Sequence, residues 1–289
     1  MTTNNNKRSL VDFYRLNDGN TIPCVGFGTW QTPDGDTAAA SVKDALSFGY
    51  RHIDTAYAYY NEGGVGRGIV ESGLKREEIF LTTKLWNTDR GYESTLKAAQ
   101  KSLELLGVEY VDLYLIHWPA NEKVYDDPVA VNVATWRAFE KLQKDGLVRS
   151  IGTSNFLEPH LKQIFDVCEV RPAVDQIEFH PGYPQFETVE FCQANDIQVE
   201  AWSPLGCGRV LSDERLQKIA DGYGKSIAQL CIRWEIQHGV LPLPKSTHTD
   251  RIKANAEVFD FVISEEDMKT IDELPEFGYS TYSPFTLPF

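Results

Sequence analysis

The chain has 289 residues, 42% of them apolar, and a net charge of −14 from 28 basic and 42 acidic side chains. That balance argues against nucleic acid or an anionic membrane as the main partner, so any anionic cofactor must be held by a local basic patch. Five cysteines, an odd number without C-x-x-C spacing, argue against a disulfide framework and a metal site, and fit a reducing, cytoplasmic setting.

In chain order, the polar stretch 1–10 has no signal-peptide core, and no apolar run approaches a membrane span. Residues 13–23 read as a β-hairpin turned at Asp18-Gly19. From Cys24 onward strand and helix signals alternate. Strands are expected at 24–29, 51–54, 79–84, 111–116, 147–152, 173–177, 197–201 and 240–243, with amphipathic helices such as 91–106 and 131–144 between them. Eight such units with short connections favour a parallel (β/α)8 TIM barrel over an open doubly wound sheet. No linker or composition break divides the chain, so 1–289 is expected to form one domain.

Some common signatures are missing. Gly26-Phe27-Gly28-Thr29 lacks the third glycine of a Rossmann fingerprint, and there is no Walker loop, nucleophile elbow or metal-ligand spacing. The glycine-rich run 63–68 is expected to open a helix and not to cradle a phosphate. What remains is a set of ionisable residues at or just past strand ends: Asp54, Tyr59, Lys84 and His117. A barrel aims all its strand ends at one mouth, so an acid, a phenol, an ammonium and an imidazole would meet there as a proton-transfer site.

The motifs around these residues carry a resemblance. Asp54-Thr55-Ala56-Tyr57-Ala58-Tyr59 with Asn61-Glu62, Thr83-Lys84-Leu85-Trp86 and Leu115-Ile116-His117-Trp118-Pro119 resemble successive signatures of the aldo-keto reductase superfamily. Gly152-Thr153-Ser154-Asn155-Phe156, Asp175-Gln176-Ile177-Glu178 and Pro244-Lys245-Ser246 match in the same order. Six motifs in sequence, over residues 13–261, are specific where one would be weak. The short-loop microbial branch, with 2,5-diketo-D-gluconate reductase and prostaglandin F synthase-like enzymes, is the most similar in feel.

The chemistry also follows from the residues. Carbonyl reduction needs a hydride on carbon and a proton on oxygen. Tyr59 is the natural proton donor, placed to stabilise charge that develops only in the transition state. A phenol ordinarily titrates at about 10, and a nearby Lys84 ammonium favours the phenolate and so makes it a stronger acid. Asp54 would pair with Lys84, and His117 would orient the substrate carbonyl by donating to it. The family assigns the same roles to these positions.

The resemblance further implies NADPH bound in extended form. Ser154, Asn155 and Gln176 would hydrogen-bond its carboxamide, Trp202 would stack on the nicotinamide, and Ser203 and Leu205 belong to the same cofactor stretch. Lys245, Ser246 and Arg251 form a donor cluster at the start of a predicted helix, suited to a 2′-phosphate. Asn255 would reach the adenine. Ala254 stands where many relatives carry Glu or Gln, which predicts looser adenine binding and leaves NADH as a second cofactor. Trp30, Trp86 and Trp118 should line an apolar substrate pocket. Tyr60 replaces a Gly usual in the family and would reshape the mouth. The aromatic tail from 278 onward would either fold over the mouth or be disordered. Short loops suit small aldehydes, ketones and keto-sugars; steroid-sized substrates would lack walls. The expectation is a cytoplasmic, metal-free, monomeric NADPH-dependent reductase of small carbonyls. Two alternatives stand beside it: flux in the dehydrogenase direction, and a non-enzymatic cofactor-sensing or structural protein on the same fold.

Overall fold

The computed structural model describes residues 9–288; residues 1–8, most of the polar N-terminal stretch, and Phe289 of the aromatic tail lie outside the described residues. The hairpin forms as expected. β1 (Phe13–Arg15) and β2 (Thr21–Pro23) are antiparallel with Phe13 opposite Pro23. Its turn is closed by Leu16 N donating to Asn20 O at 2.9 Å and Asn20 N to Asp18 Oδ1 at 3.0 Å.

Eight parallel strands follow: β3 (Phe27–Gly28), β4 (His52–Asp54), β5 (Phe80–Leu85), β6 (Val111–Ile116), β7 (Val148–Ser154), β8 (Val174–Glu178), β9 (Gln198–Trp202) and β10 (Leu241–Pro242). Each pairs with the next in sequence order. Helices α1 (Asp36–Ser47), α2 (Glu62–Glu71), α3 (Tyr92–Leu106), α4 (Pro128–Lys144), α5 (Glu158–Phe165) and α6 (Phe186–Ala194) fill the crossovers up to β9. α7 (Glu214–Gly222) and α8 (Ile227–Gln237) lead into β10, and α9 (Thr249–Ala256) and α10 (Glu265–Asp272) follow it. Local chemistry sets several starts: Asp127 accepts from Ala130 N ahead of Pro128 on α4, and Ser226 with Gln229 makes a capping box on α8.

The first and last strands are shorter than expected, because their flanking residues bond across the barrel seam instead. Gly26 N donates to Pro242 O and Gly28 N to Pro244 O, both at 3.0 Å, which closes the ring. A Cβ at Gly26 would sit 2.5 Å from Leu243 Cδ2 and 2.6 Å from His52 Nδ1. The two glycines that look like half a Rossmann fingerprint therefore serve ring closure. β7 runs two residues beyond its expected end, to Ser154.

Alternation along the strands turns every second side chain into the barrel interior, where an apolar and a polar set can be told apart. The lower level is apolar: Phe80, Leu113, Val174 and Leu241 pack with Leu16 and Ile22 from the hairpin, and Leu115 and Leu243 carry the cluster upward, Leu243 as far as the cavity. The hairpin thus plugs the bottom, and Asn17 Nδ2 donates to Pro172 O at 2.8 Å to hold it there. The upper level is polar, with His52, Asp54, Thr82, Lys84, Gln176 and Glu200 all buried. A larger apolar layer lies between the strands and the helices.

The glycine-rich run 63–68 lies within α2, in line with the helix expectation. Its glycines permit close helix packing: a Cβ at Gly66 would meet Leu106 O at 2.1 Å. We expect Gly66→Ala to lower stability by about 2 kcal/mol or more, because the backbone clash outweighs a helix-propensity gain of about 1 kcal/mol. Urea unfolding measures it, and a stabilised variant would show that this contact yields easily.

Candidate active site

The four ionisable residues meet at the mouth. Asp54 ends β4, Lys84 is the penultimate residue of β5, His117 directly follows β6, and Tyr59 ends a short 3-10 turn (Tyr57–Tyr59) after β4. Lys84 is fully buried. Its Nζ donates to Asp54 Oδ1 at 2.7 Å and Oδ2 at 2.9 Å, to Thr55 O at 2.9 Å and to Tyr59 Oη at 3.3 Å. Three ammonium protons thus serve one carboxylate, one carbonyl and one phenol oxygen. Because the Tyr59 oxygen accepts from Lys84, the hydroxyl's own proton is left to the cavity.

Electrostatics refine the expectation for the phenol. Burial pushes Tyr59 above its ordinary value; Lys84 pulls it down, and Asp54 pushes it up again. The net direction is upward, so desolvation outweighs the acidifying effect of Lys84. Burial also works against the charge on Lys84, yet Asp54 and Tyr59 together raise its pKa above the ordinary value. The ammonium therefore keeps its proton. His117 is driven well below the usual imidazole range, first by burial and then by Lys84 and Arg90, so it is neutral. Its Nδ1 is buried without a partner, which leaves Nε2 as the ring nitrogen open to the cavity. The ring lies edge-on to Tyr59 (centroids 5.7 Å apart) and to Trp86 (5.1 Å).

A cavity of about 1160 Å³ opens over this cluster, and every residue expected at the site lines it except Lys84, which lies beneath its floor. Ser154, Asn155 and Gln176 sit side by side at the ends of β7 and β8. Several of their polar atoms are already engaged. Asn155 Nδ2 donates to His117 O at 2.9 Å and Ser154 Oγ at 3.0 Å, and Ser154 Oγ donates to Gln176 O at 2.8 Å. Trp202 Nε1 donates to Asn155 Oδ1 at 2.8 Å, which fixes the indole at the cavity wall. Trp86 and the almost buried Trp118 line the mouth, and Trp30 is 41% exposed at its rim. Tyr60, 78% exposed and in the left-handed region (φ 55°), lines the rim of the cavity.

At the far end, Lys245, Ser246, Arg251 and Asn255 gather around the start of α9. Ser246 Oγ accepts from His248 N at 3.0 Å, and Lys245 Nζ donates to Gln31 O at 3.3 Å. The Arg251 side chain makes no hydrogen bond or ion pair among the described residues. An elongated cavity with an uncommitted guanidinium and a lysine at one end and an indole wall at the other fits a phosphorylated dinucleotide.

The sequence reading missed the loop after β9, where Cys207, Gly208 and Leu211 line the cavity. Its left-handed positions, Ser203, Gly206, Cys207 and Gly208, bend the chain over the cleft. The pair Gly206 and Gly208 was the one available signal. Of the two expectations for the tail, the structure shows the folded one. Ser280 N and Oγ donate to the Glu178 carboxylate at 2.9 and 2.6 Å, Asn121 Nδ2 donates to Leu287 O at 3.0 Å, and Tyr282 lies edge-on to Trp118 at 6.2 Å. Arg209 ties the β9 loop to the tail by donating from Nε to Gly278 O at 2.6 Å.

Comparison with known proteins agrees with this geometry. Residues 24–276 match the aldo/keto reductase family. The chain belongs to that family. It is 50% identical over 266 residues to the glyoxal reductase of Bacillus subtilis (strain 168), covering 92% of this chain and 94% of that protein. The crystal structure of an aldo/keto reductase from Brucella melitensis is similar with a TM-score of 0.84 at 49% identity, over 90% of this chain and 98% of that one. An aldo-keto reductase crystallised with NADPH is similar with a TM-score of 0.86 at 33% identity, over 95% and 90% of the respective chains. This chain is an NADP-dependent oxidoreductase with NADPH as its cofactor. Among the described residues, no helix of the reductase is long and apolar enough to cross a membrane.

Removing one member of the buried ion pair leaves the other uncompensated. We expect Lys84→Met to destabilise the reductase by about 3–5 kcal/mol, and the double variant Asp54→Asn/Lys84→Met to recover most of that loss. Chemical denaturation of both checks it; equal losses would mean that the pair is not what the fold requires.

Proposed function

We propose that this reductase converts small aldehydes, ketones and α-dicarbonyls to alcohols, with Tyr59 delivering the proton. The observation that carries the reading is the accounting at Lys84: the ammonium is spent on Asp54, Thr55 and Tyr59, and only the phenol proton faces the cavity beside His117. NADPH, when bound, would supply the hydride that the carbonyl carbon needs. Tyr59 gives its proton to the oxygen on which charge develops, and the Lys84 hydrogen bond stabilises the phenolate left behind. His117, neutral, donates from Nε2 to the same oxygen and fixes which face of the carbonyl is presented. Gln176, Ser154 and Asn155 hold the carboxamide edge, and Trp202 supports the ring. Lys245 and Arg251 would hold the 2′-phosphate, Ser246 would add a hydroxyl, and Asn255 would meet the adenine; Ser203 and Leu205 border the cleft.

Trp30, Trp86 and Trp118, with Tyr282 from the tail, make aromatic walls that exclude water and leave room for compact carbonyls. The likeness to a glyoxal reductase points the same way. One apolar layer that runs from Cys24 to Ile271 supports a single domain, and we take the chain to act as a cytoplasmic monomer. No feature of the site favours the non-enzymatic reading.

NADPH oxidation followed with glyoxal, methylglyoxal, a nitrobenzaldehyde and xylose tests the substrate class. Turnover of the dicarbonyls and the aromatic aldehyde, with little of xylose, is expected; failure with all four would sink the reading. Tyr59→Phe should lower kcat by about 10²–10⁴ with NADPH affinity unchanged, and retained turnover would remove Tyr59 as the donor. Arg251→Ala should raise KM for NADPH by roughly 10- to 100-fold and leave NADH nearly unaffected. Equal losses for the two cofactors would show that Arg251 does not read the 2′-phosphate.

A further inference from the structure

One carboxyl group in the upper level of the barrel has no place in that mechanism. Glu200, on β9, is fully buried one side chain away from Asp54. The link between them is Gln176, whose Nε2 donates to Asp54 Oδ2 at 2.9 Å and to Glu200 Oε2 at 2.8 Å. An amide nitrogen carries two hydrogens, so both are consumed, and the Gln176 carbonyl oxygen, which has no partner among the described residues, must point away from them. Gln176 lines the cavity, so that oxygen is the polar atom of the amide left for it.

We propose that Glu200 is a positioning residue for the reduction: together with Asp54 it clamps the Gln176 amide, so that the Gln176 carbonyl oxygen faces the nicotinamide carboxamide as an acceptor. This rests on the reading of Tyr59, Lys84 and Asp54 given above. The clamp has a proton-dependent side. The groups around Glu200 are Asp54 and His52 on β4, Lys84 on β5, and Asp175 and Gln176 on β8, with His52 Nε2 at 3.8 Å from Glu200 Oε1. Oε1 has no hydrogen-bond partner and is the oxygen free to hold a proton. Burial pushes the Glu200 carboxyl up to about 8; Asp54 and Asp175 add to the rise, and Gln176 and Lys84 oppose it. His52 is itself driven down to about 3, by burial and then by Lys84, and is neutral.

While Glu200 is neutral, Lys84 answers to one carboxylate. Loss of the Oε1 proton places a second negative charge behind the Asp54–Lys84 pair, which opposes phenolate formation at Tyr59 and weakens it as a donor. Turnover should therefore fall as pH rises through the Glu200 titration. Stability should move in the same sense. A carboxyl whose folded pKa lies above its unfolded value holds more protons when folded, so stability is lost between about 4.5 and about 8 as pH rises.

Two variants separate the effects. Glu200→Gln keeps an acceptor for Gln176 Nε2 but cannot ionise. Its Tm advantage over wild type, measured without cofactor, should widen from about pH 5 to about pH 8. The alkaline fall in kcat expected of wild type near pH 8 should be absent from this variant. Glu200→Ala removes the acceptor, and NADPH affinity read from tryptophan fluorescence should fall roughly fivefold or more, the effect of one mis-set hydrogen bond. A Tm difference that is flat with pH, together with superimposable kcat profiles, would overturn the titration. NADPH affinity in Glu200→Ala equal to wild type would overturn the clamp. If wild type reduced no carbonyl, the reading of Tyr59 would fall, while the Tm and NADPH titrations would still decide the role of Glu200. If wild type turned over and Tyr59→Phe did not, yet both Glu200 variants matched wild type, Glu200 alone would fall.

Discussion

Everything at the mouth hangs on the ion pair between Lys84 and Asp54, closed at 2.7 Å in the upper level of the barrel. Taking two charges out of water is costly, and such a pair persists only where further hydrogen bonds satisfy the remaining protons and lone pairs. Here they do: Thr55 O and Tyr59 take the other ammonium protons, and Gln176 donates to the carboxylate. The pair sets the charge next to the phenol and also sets the plane of the Gln176 amide. It therefore reaches both the proton side of the site and the cofactor side.

The barrel makes such a cluster tolerable by segregating its interior. Below the pair the lumen holds leucines, a phenylalanine and the side chains of the hairpin plug. Above it lies the cavity. Asp175 sits elsewhere, buried against Thr153, which donates to it at 2.8 Å, and burial raises it to about 7. Burial raises several carboxyls in this barrel, Asp175 and Glu200 among them, whereas Asp54 lies against the buried Lys84.

Much of this was legible in the sequence for a simple reason: a parallel strand is a short apolar run, and its last residue faces the mouth. Asp54, Lys84 and His117 each end or follow such a run, so their convergence could be inferred before any coordinates. The donor cluster at Lys245, Ser246 and Arg251 was legible because it breaks an acidic composition. Other features had no local signature. Gly26 and Gly28 look like a phosphate-loop fragment, and only the approach of Leu243 shows that they serve ring closure. Cys207, Gly208 and Leu211 reach the cleft because left-handed backbone bends a loop, not because of their chemistry. The tail's position depends on a carboxylate on β8, more than a hundred residues upstream, and nothing in its own composition names that partner. The net upward shift of Tyr59 was also out of reach, because burial is a property of the whole mouth.

The seam between β3 and β10 carries a consequence for how the molecule comes into being. Neighbouring strands elsewhere in the ring are joined directly by a helical crossover of one or two helices, but the seam unites the two ends of the barrel by bonds from Gly26 and Gly28 to Pro242 and Pro244. Closing so long a loop is entropically late work. A chain leaving the ribosome therefore carries β3 as an open sheet edge, with unpaired backbone groups, until almost the whole barrel has been made. The two glycines at that edge offer no side chains for a stray strand to pack against, so the same residues that permit the final closure also make the waiting edge a poor template for misassembly.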